Sequence, residues 1–139
     1  MPSQQLDNLV RIGQLKAEPP SQSEIDGLMR SGAVRIKDAE NEQLGIESRF
    51  DLAYNAAHAF SLAALPRLSQ RESLPVFQSL QHTIRLPPAK WRVLDQAHKK
   101  RNLVEYEGST DVDISLLEAI IRIAREVEAA VLALGTLPG

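Results

Sequence analysis

Four side chains in the stretch HKKRNLVEYEG, residues 98–108, can do chemistry together if the stretch is helical. At about 100° per residue, His98 and Arg101 stand about 60° apart and Arg101 and Asn102 are neighbours around the helix. His98, Asn102 and Tyr106 form a slowly drifting row beside them. An imidazole exchanges protons near neutral pH, and a guanidinium carries a permanent charge with planar donors. Such a set fits a reaction site or a binding face for phosphate. Leu94, Ala97 and Val104 lie seven, four and three positions from Arg101, which puts its charge among residues that should face a partner surface. The competing reading pairs Arg101 with Glu105 at four-residue spacing, with the arginine stem packed on Val104 and Leu94.

The charge distribution around this stretch is uneven. Between residues 85 and 101, Arg85, Lys90, Arg92, Lys99, Lys100 and Arg101 oppose only Asp95, whereas residues 105–128 carry seven acids against Arg122 and Arg125. The basic segment is either a solvated helix face or a local phosphate-binding strip in which Lys99, Lys100 and Arg101 would contact nucleic acid. The chain as a whole is no polycation, since sixteen Lys and Arg against eighteen Asp and Glu give a formal charge of −2.

The elements that must position these residues read as helices. Ser3 precedes a weak amphipathic pattern, Leu6, Leu9, Val10 and Gly13, which Pro19 and Pro20 end. Ser23 can cap a segment with Ile25, Leu28 and Met29, whose pattern meets Ser31 and Gly32 before Val34, Ile36 and Ala39 continue it. That segment is one interrupted helix or two short ones. From Ile46 to Leu65, Ile46, Phe50, Ala53, Ala57, Phe60 and Ala64 recur at intervals of four and three, the mark of a core helix. Ser73 and Pro75 open a short helix carrying Val76, Phe77, Leu80 and Ile84, which stops at Pro87 and Pro88.

From Ala89 to about Glu107 no proline or glycine interrupts the chain, and Trp91, Leu94, Ala97 and Val104 mark one face of a helix that Gly108 terminates. Asp111 or Asp113 can cap a last helix with a stripe of Leu117, Ile120, Ile121, Ala124, Val127, Val131 and Leu134, ended by Gly135. On its polar side Glu118 with Arg122, and Arg122 with Glu126, stand at ion-pair spacing. The expected fold is therefore all-α: one domain over residues 1–139, a compact up-and-down bundle of four or five main helices over 23–135, with a weakly attached helix and linker over 1–22. A length of 139 residues and a composition 43% hydrophobic but 4% aromatic suit a single core of Leu, Ile, Val and Ala.

The absence of cysteine excludes disulfides and thiolate chemistry. Asp111 and Asp113 beside Ser109 and Thr110 read as capping residues, and three separated histidines argue against metal catalysis, so no metal and no cofactor are expected. His58 belongs to a polar strip, Tyr54, Asn55, His58 and Ser61, of the kind usually found at a core boundary. His82 has no evident partner. No segment approaches the roughly 20 apolar residues of a membrane span, nor does the start read as a signal peptide, so a soluble cytoplasmic protein is the expectation.

The run Arg101, Asn102, Leu103, Val104, Glu105, Tyr106 resembles the signature of HEPN domains: an arginine, a polar residue, three more positions and a catalytic histidine, on the penultimate long helix of a small bundle. The segment ESRFDLAYNAAHAFSLAAL, residues 47–65, is similar to the long first core helix of small bacterial HEPN proteins, and the likeness extends loosely from Asp26 to Leu134. The arginine and polar residue match; Tyr106 stands in place of the histidine.

What the resemblance implies is a homodimer that joins two motifs at its interface. It further implies RNA handling in a toxin–antitoxin or phage-defence setting, with a nucleotidyltransferase-type partner protein. HEPN ribonucleases cleave RNA without metal through attack of the ribose 2′-hydroxyl, which requires a proton-transfer group and a cation. Arg101 would be the cation. Tyr106, with an ordinary pKa of about 10, replaces poorly an imidazole of about 6.5, so ribonuclease activity is expected to be weak or lost. Two other readings stay open: a non-catalytic structural or interaction module, and a metal-independent endoribonuclease in which a displaced His98 acts with Arg101.

Overall fold

The computed structural model describes residues 21–67, 75–107 and 112–135, with side chains at all of these except 67 and 103–107. The expectations placed on residues 1–20, on Ser73, Gly108 and Asp111, and on the side chains of Val104, Glu105 and Tyr106 lie outside the described residues. The described chain is all-helical: α1 (Gln22–Ala39), α2 (Ile46–Ala64) running into a 3-10 turn (Leu65–Arg67), α3 (Val76–Thr83), α4 (Pro88–Glu107) and α5 (Ile114–Leu134). No strand occurs among the described residues. The arrangement is compatible with a compact helical bundle.

Residues 23–39, read as one interrupted helix or two, form a single helix that starts earlier than expected. Ser21, in extended backbone, accepts a hydrogen bond from the Glu24 N–H at 3.2 Å, so Ser21 rather than Ser23 is the cap. Ser21 and Glu24 have the spacing of a capping box, which outcompetes Ser23 once Pro19 and Pro20 have stopped the upstream chain. Gly32 does not interrupt the helix because its missing side chain is what lets α1 approach α2. A Cβ there would lie 2.8 Å from Phe60 Cδ1 and 2.9 Å from Cζ.

The α2 helix packs against all four of the other helices. Its expected stripe is buried at Phe50, Ala53, Ala57, Phe60 and Ala64, and Ala56, Ala59 and Ala63 are buried as well. Alanine on several sides allows neighbouring backbones to come close, which explains how a chain poor in aromatics fills its core. Ser61, expected at a boundary, is fully buried and donates to the Ala57 carbonyl at 2.7 Å. The turn between α1 and α2 is closed by Arg49, whose Nε donates to the Ala39 carbonyl at 2.8 Å and satisfies an otherwise orphaned acceptor at a helix C-terminus.

α4 begins on Pro88, with the Pro87 carbonyl accepting from the Trp91 N–H at 3.2 Å, and buries Leu94 and Ala97. Asp113 caps α5 by accepting from the Ser115 N–H at 3.0 Å, and Gly135 ends it at a positive φ of 73°. In α5 Ile123 is buried where Ile121 and Leu134 were expected; those two are half-buried. The intrahelical ion pairs expected through Arg122 are not among the described ones. Glu126 instead meets Lys90 Nζ of α4 at 2.6 Å, and Arg125 bridges Glu40 at the end of α1 and Glu128. Two of these pairs join helices, because α5 lies against both α4 and the end of α1, and Arg125–Glu128 is the described pair along α5 itself.

Candidate functional site

The packing of α4 on α2 assembles a cluster around Tyr54. Tyr54 is 4% exposed, and its ring is stacked with His58 one turn along its own helix (centroids 6.1 Å apart, planes 18°) and with His98 of α4 (6.1 Å, 23°). Phe77 of α3 closes the set edge-on, 5.9 Å from Tyr54 and 6.0 Å from His58. The Arg101 guanidinium carbon lies 4.8 Å above the Tyr54 ring, a cation–π arrangement. Arg101 Nε is also 3.7 Å from Asp51 Oδ1, while Asn55 Nδ2 donates to Asp51 Oδ2 at 3.2 Å.

Hydrogen bonds tie His98 at both ring nitrogens. Nδ1 is 2.8 Å from the Tyr54 hydroxyl, and Nε2 is 3.4 Å from Asn102 Nδ2. His98 and Asn102 are exposed and Arg101 is half-exposed, so the outer edge of the cluster presents an imidazole, a guanidinium and an amide to solvent. Two cation-forming groups and an amide donor on adjacent turns can hold a phosphate, and an imidazole placed there can also move a proton.

His58, on the inner side, is held below its ordinary value of 6.5, chiefly by burial and further by the charges of Arg101 and His98. It is therefore neutral at pH 7. The sign of its effect on stability follows. Below pH 6.5 the unfolded chain takes up a proton that the folded chain resists, so His58 destabilises the fold progressively as pH falls from 6.5 towards its lowered value. Denaturant unfolding of wild type and His58→Phe at pH 8 and pH 5.5 is expected to give a smaller acid-side loss of stability in the variant. Equal losses in the two proteins would assign the acid sensitivity elsewhere.

Of the residues singled out in the sequence, His98, Arg101 and Asn102 come together here, and the Tyr106 side chain lies outside the described residues. Arg101 reaches across to α2, where Asp51 and Tyr54 are its described partners. The basic segment divides in the fold: Lys90 pairs with Glu126, Arg92 lies over the Trp91 ring at 5.5 Å, and Arg101 joins the cluster. Lys99 is exposed and Lys100 half-buried on the turn beside it.

Sequence reasoning missed Asp51 and set Tyr54 and His58 aside as boundary residues. The available signal was the pairing of Asp51 with Asn55 and of Tyr54 with His58 at four-residue spacing. Nothing along the chain indicated that Tyr54 would meet His98, 44 positions later.

Two depressions lie near these elements. A small cavity of about 70 Å³ between Glu47, Phe50, Asp51, Arg101 and Val112 adjoins the cluster. A shallow groove of about 650 Å³, bounded by the α1–α2 turn and α5, is lined by Glu40, Glu42, Glu118 and Glu126 with Arg49, Arg122 and Arg125. Its carboxylates outnumber its guanidiniums, which disfavours phosphate there. Among the described residues no three His, Asp or Glu side chains converge as a metal site, and no helix is long and apolar enough to cross a membrane. Compared with protein-family models, curated proteins and solved structures, the chain has no significant match in any of the three.

Proposed function

We propose that this chain is a HEPN-like helical module that binds RNA phosphate through the outer edge of the Tyr54 cluster and acts as a homodimer through the α4 face carrying Arg101, Asn102 and Tyr106. Its setting is a toxin–antitoxin or phage-defence pair with a nucleotidyltransferase-type partner, in the cytoplasm, and its ribonuclease activity is weak or lost. One observation carries the reading: His98, Arg101 and Asn102 sit on adjacent turns, two of them anchored on one buried tyrosine, with their polar ends at the surface. The arginine and its polar neighbour on a long penultimate helix support the family assignment. The phenol at position 106 and the Asp51 carboxylate beside Arg101 support weak catalysis, since one is a poor proton donor at pH 7 and the other offsets the cation.

Wild-type protein is expected to bind a fluorescent single-stranded RNA 20-mer with an affinity that falls steeply with salt, and joint replacement of Lys99, Lys100 and Arg101 by alanine should reduce the salt slope. An affinity indifferent to those replacements would remove RNA binding from this face. Sedimentation of wild type is expected to report a dimer, and of Asn102→Ala/Tyr106→Ala a monomer. The 2.8 Å contact between Tyr54 and His98 favours a second reading, an active metal-independent endoribonuclease. Cleavage of the same RNA in EDTA, abolished by both Arg101→Ala and His98→Ala, would select that reading over the first.

A further inference from the structure

Neutral imidazole has one N–H, and which nitrogen carries it depends on the hydrogen bond made by the other. In the cluster the two nitrogens of His98 face different partners: Nδ1 the buried Tyr54 hydroxyl at 2.8 Å, Nε2 the exposed Asn102 amide nitrogen at 3.4 Å. With the Asn102 amide turned so that its N–H₂ faces the ring, Nε2 accepts, and the single proton of neutral His98 then resides on Nδ1 and is donated to the Tyr54 oxygen. Tyr54 is well fixed for this task. Its ring is stacked with His58 and His98, met edge-on by Phe77 and overlaid by Arg101, so the hydroxyl position is set by packing on several sides.

We propose that Tyr54 is a positioning residue that holds His98 as the Nδ1–H tautomer, leaving Nε2 as a lone pair beside Asn102 at the exposed edge and making phosphate binding at this edge depend on proton uptake by His98. The proposal rests on the RNA-binding reading for its ligand but not for the tautomer itself. A lone pair at Nε2 repels a phosphate oxygen; once protonated, the same nitrogen donates to it, while Nδ1–H stays on Tyr54. The tyrosine oxygen serves both states without moving. The titratable and charged groups around the cluster are Tyr54 and His58 on α2, with Asp51 of that helix paired to Arg101, and Asp95, Lys99, Lys100 and Arg101 within a turn of His98 on α4, with α3 contributing the Phe77 ring. His58, the more buried of the two imidazoles, is held below its ordinary value by burial and by the charges of Arg101 and His98, so it resists taking up a proton.

The experiment has two arms, both on the full chain. Long-range ¹⁵N–¹H spectra of the His98 ring at pH 8 are expected to report a protonated Nδ1 and a bare Nε2 in wild type. In Tyr54→Phe, which keeps the stacked ring and removes the hydroxyl, they should report a loss of that preference. Affinity for the RNA 20-mer at constant ionic strength is expected to rise about tenfold from pH 8 to pH 6 in wild type, as one charge-assisted contact is gained, and to change by less than about threefold in Tyr54→Phe. A wild-type His98 protonated on Nε2 at pH 8, or a tautomer unchanged by Tyr54→Phe, would overturn the proposal. Absence of RNA binding with the tautomer as stated would remove the RNA reading and the coupling while leaving the Tyr54 role in place. Because wild type is measured directly, the tautomer arm stands even if the variant folds poorly.

Discussion

Phe60→Ala is expected to lower the unfolding free energy by about 3–5 kcal/mol, the range for removing a large aromatic from a packed core. Phe60 is fully buried on α2, which touches all the other helices, so few neighbours can collapse into the space it leaves. Its ring lies directly against the bare Cα of Gly32. The same contact predicts a reversal of sign.

Gly32→Ala improves helix propensity by about 1 kcal/mol, yet it drives a methyl group into a ring that cannot retreat, an overpacking cost of about 1–3 kcal/mol. The net change should be destabilising in wild type. In a Phe60→Leu background, where the clashing ring carbons are gone, the clash is relieved and Gly32→Ala should become neutral or stabilising. Chemical denaturation of the four proteins in the cycle tests this. A Gly32→Ala effect of the same sign and size in both backgrounds would show that the contact does not govern the α1–α2 approach.

On the proposed RNA-binding reading, Arg101→Ala is expected to weaken RNA binding by about ten- to a hundredfold at low salt, the value of one charge-assisted contact to phosphate, and to lower the salt slope by about one. Its effect on stability should be far smaller. The pairing with Asp51 is long, at 3.7 Å, with both side chains substantially exposed, and exposed ion pairs contribute at most about 1 kcal/mol. The stack on Tyr54 adds a comparable amount.

That contrast separates a binding residue from a structural one. Arg101→Lys should recover part of the affinity, because charge returns but the planar fork over the tyrosine ring does not. Asp51→Asn should tighten binding by removing the competing carboxylate. Parallel losses of stability and affinity in Arg101→Ala, or weaker binding by Asp51→Asn, would contradict the assignment. Fluorescence anisotropy with the RNA 20-mer, alongside urea denaturation, provides both quantities.

Helix existence was legible along the chain because it depends on local spacing. The run from Phe50 to Ala64, the proline stops at Pro87 and Pro88, and the Asp113 and Gly135 ends each carry their signal within a few residues. Gly32 misled because, viewed locally, glycine weakens a helix; only the neighbouring Phe60 ring explains it. Arg122 misled for the corresponding reason. Four-residue spacing on α5 permitted its pairs with Glu118 and Glu126, but Lys90 on another helix claimed Glu126.

The sequence by itself determined an all-helical chain with an alanine-rich central helix, and it placed His98, Arg101 and Asn102 on neighbouring turns, since helical periodicity fixes angular relations over short distances. The tertiary structure decided what those residues face. Whether Arg101 is a solvated charge or the lid of an aromatic cluster depends on the rotation of α4 against α2, which is set by the packing of Leu94 and Ala97 in the core rather than by any polar residue. Tyr54 and His98 meet across 44 positions because two hydrophobic faces found one register, and no local pattern encodes that distance.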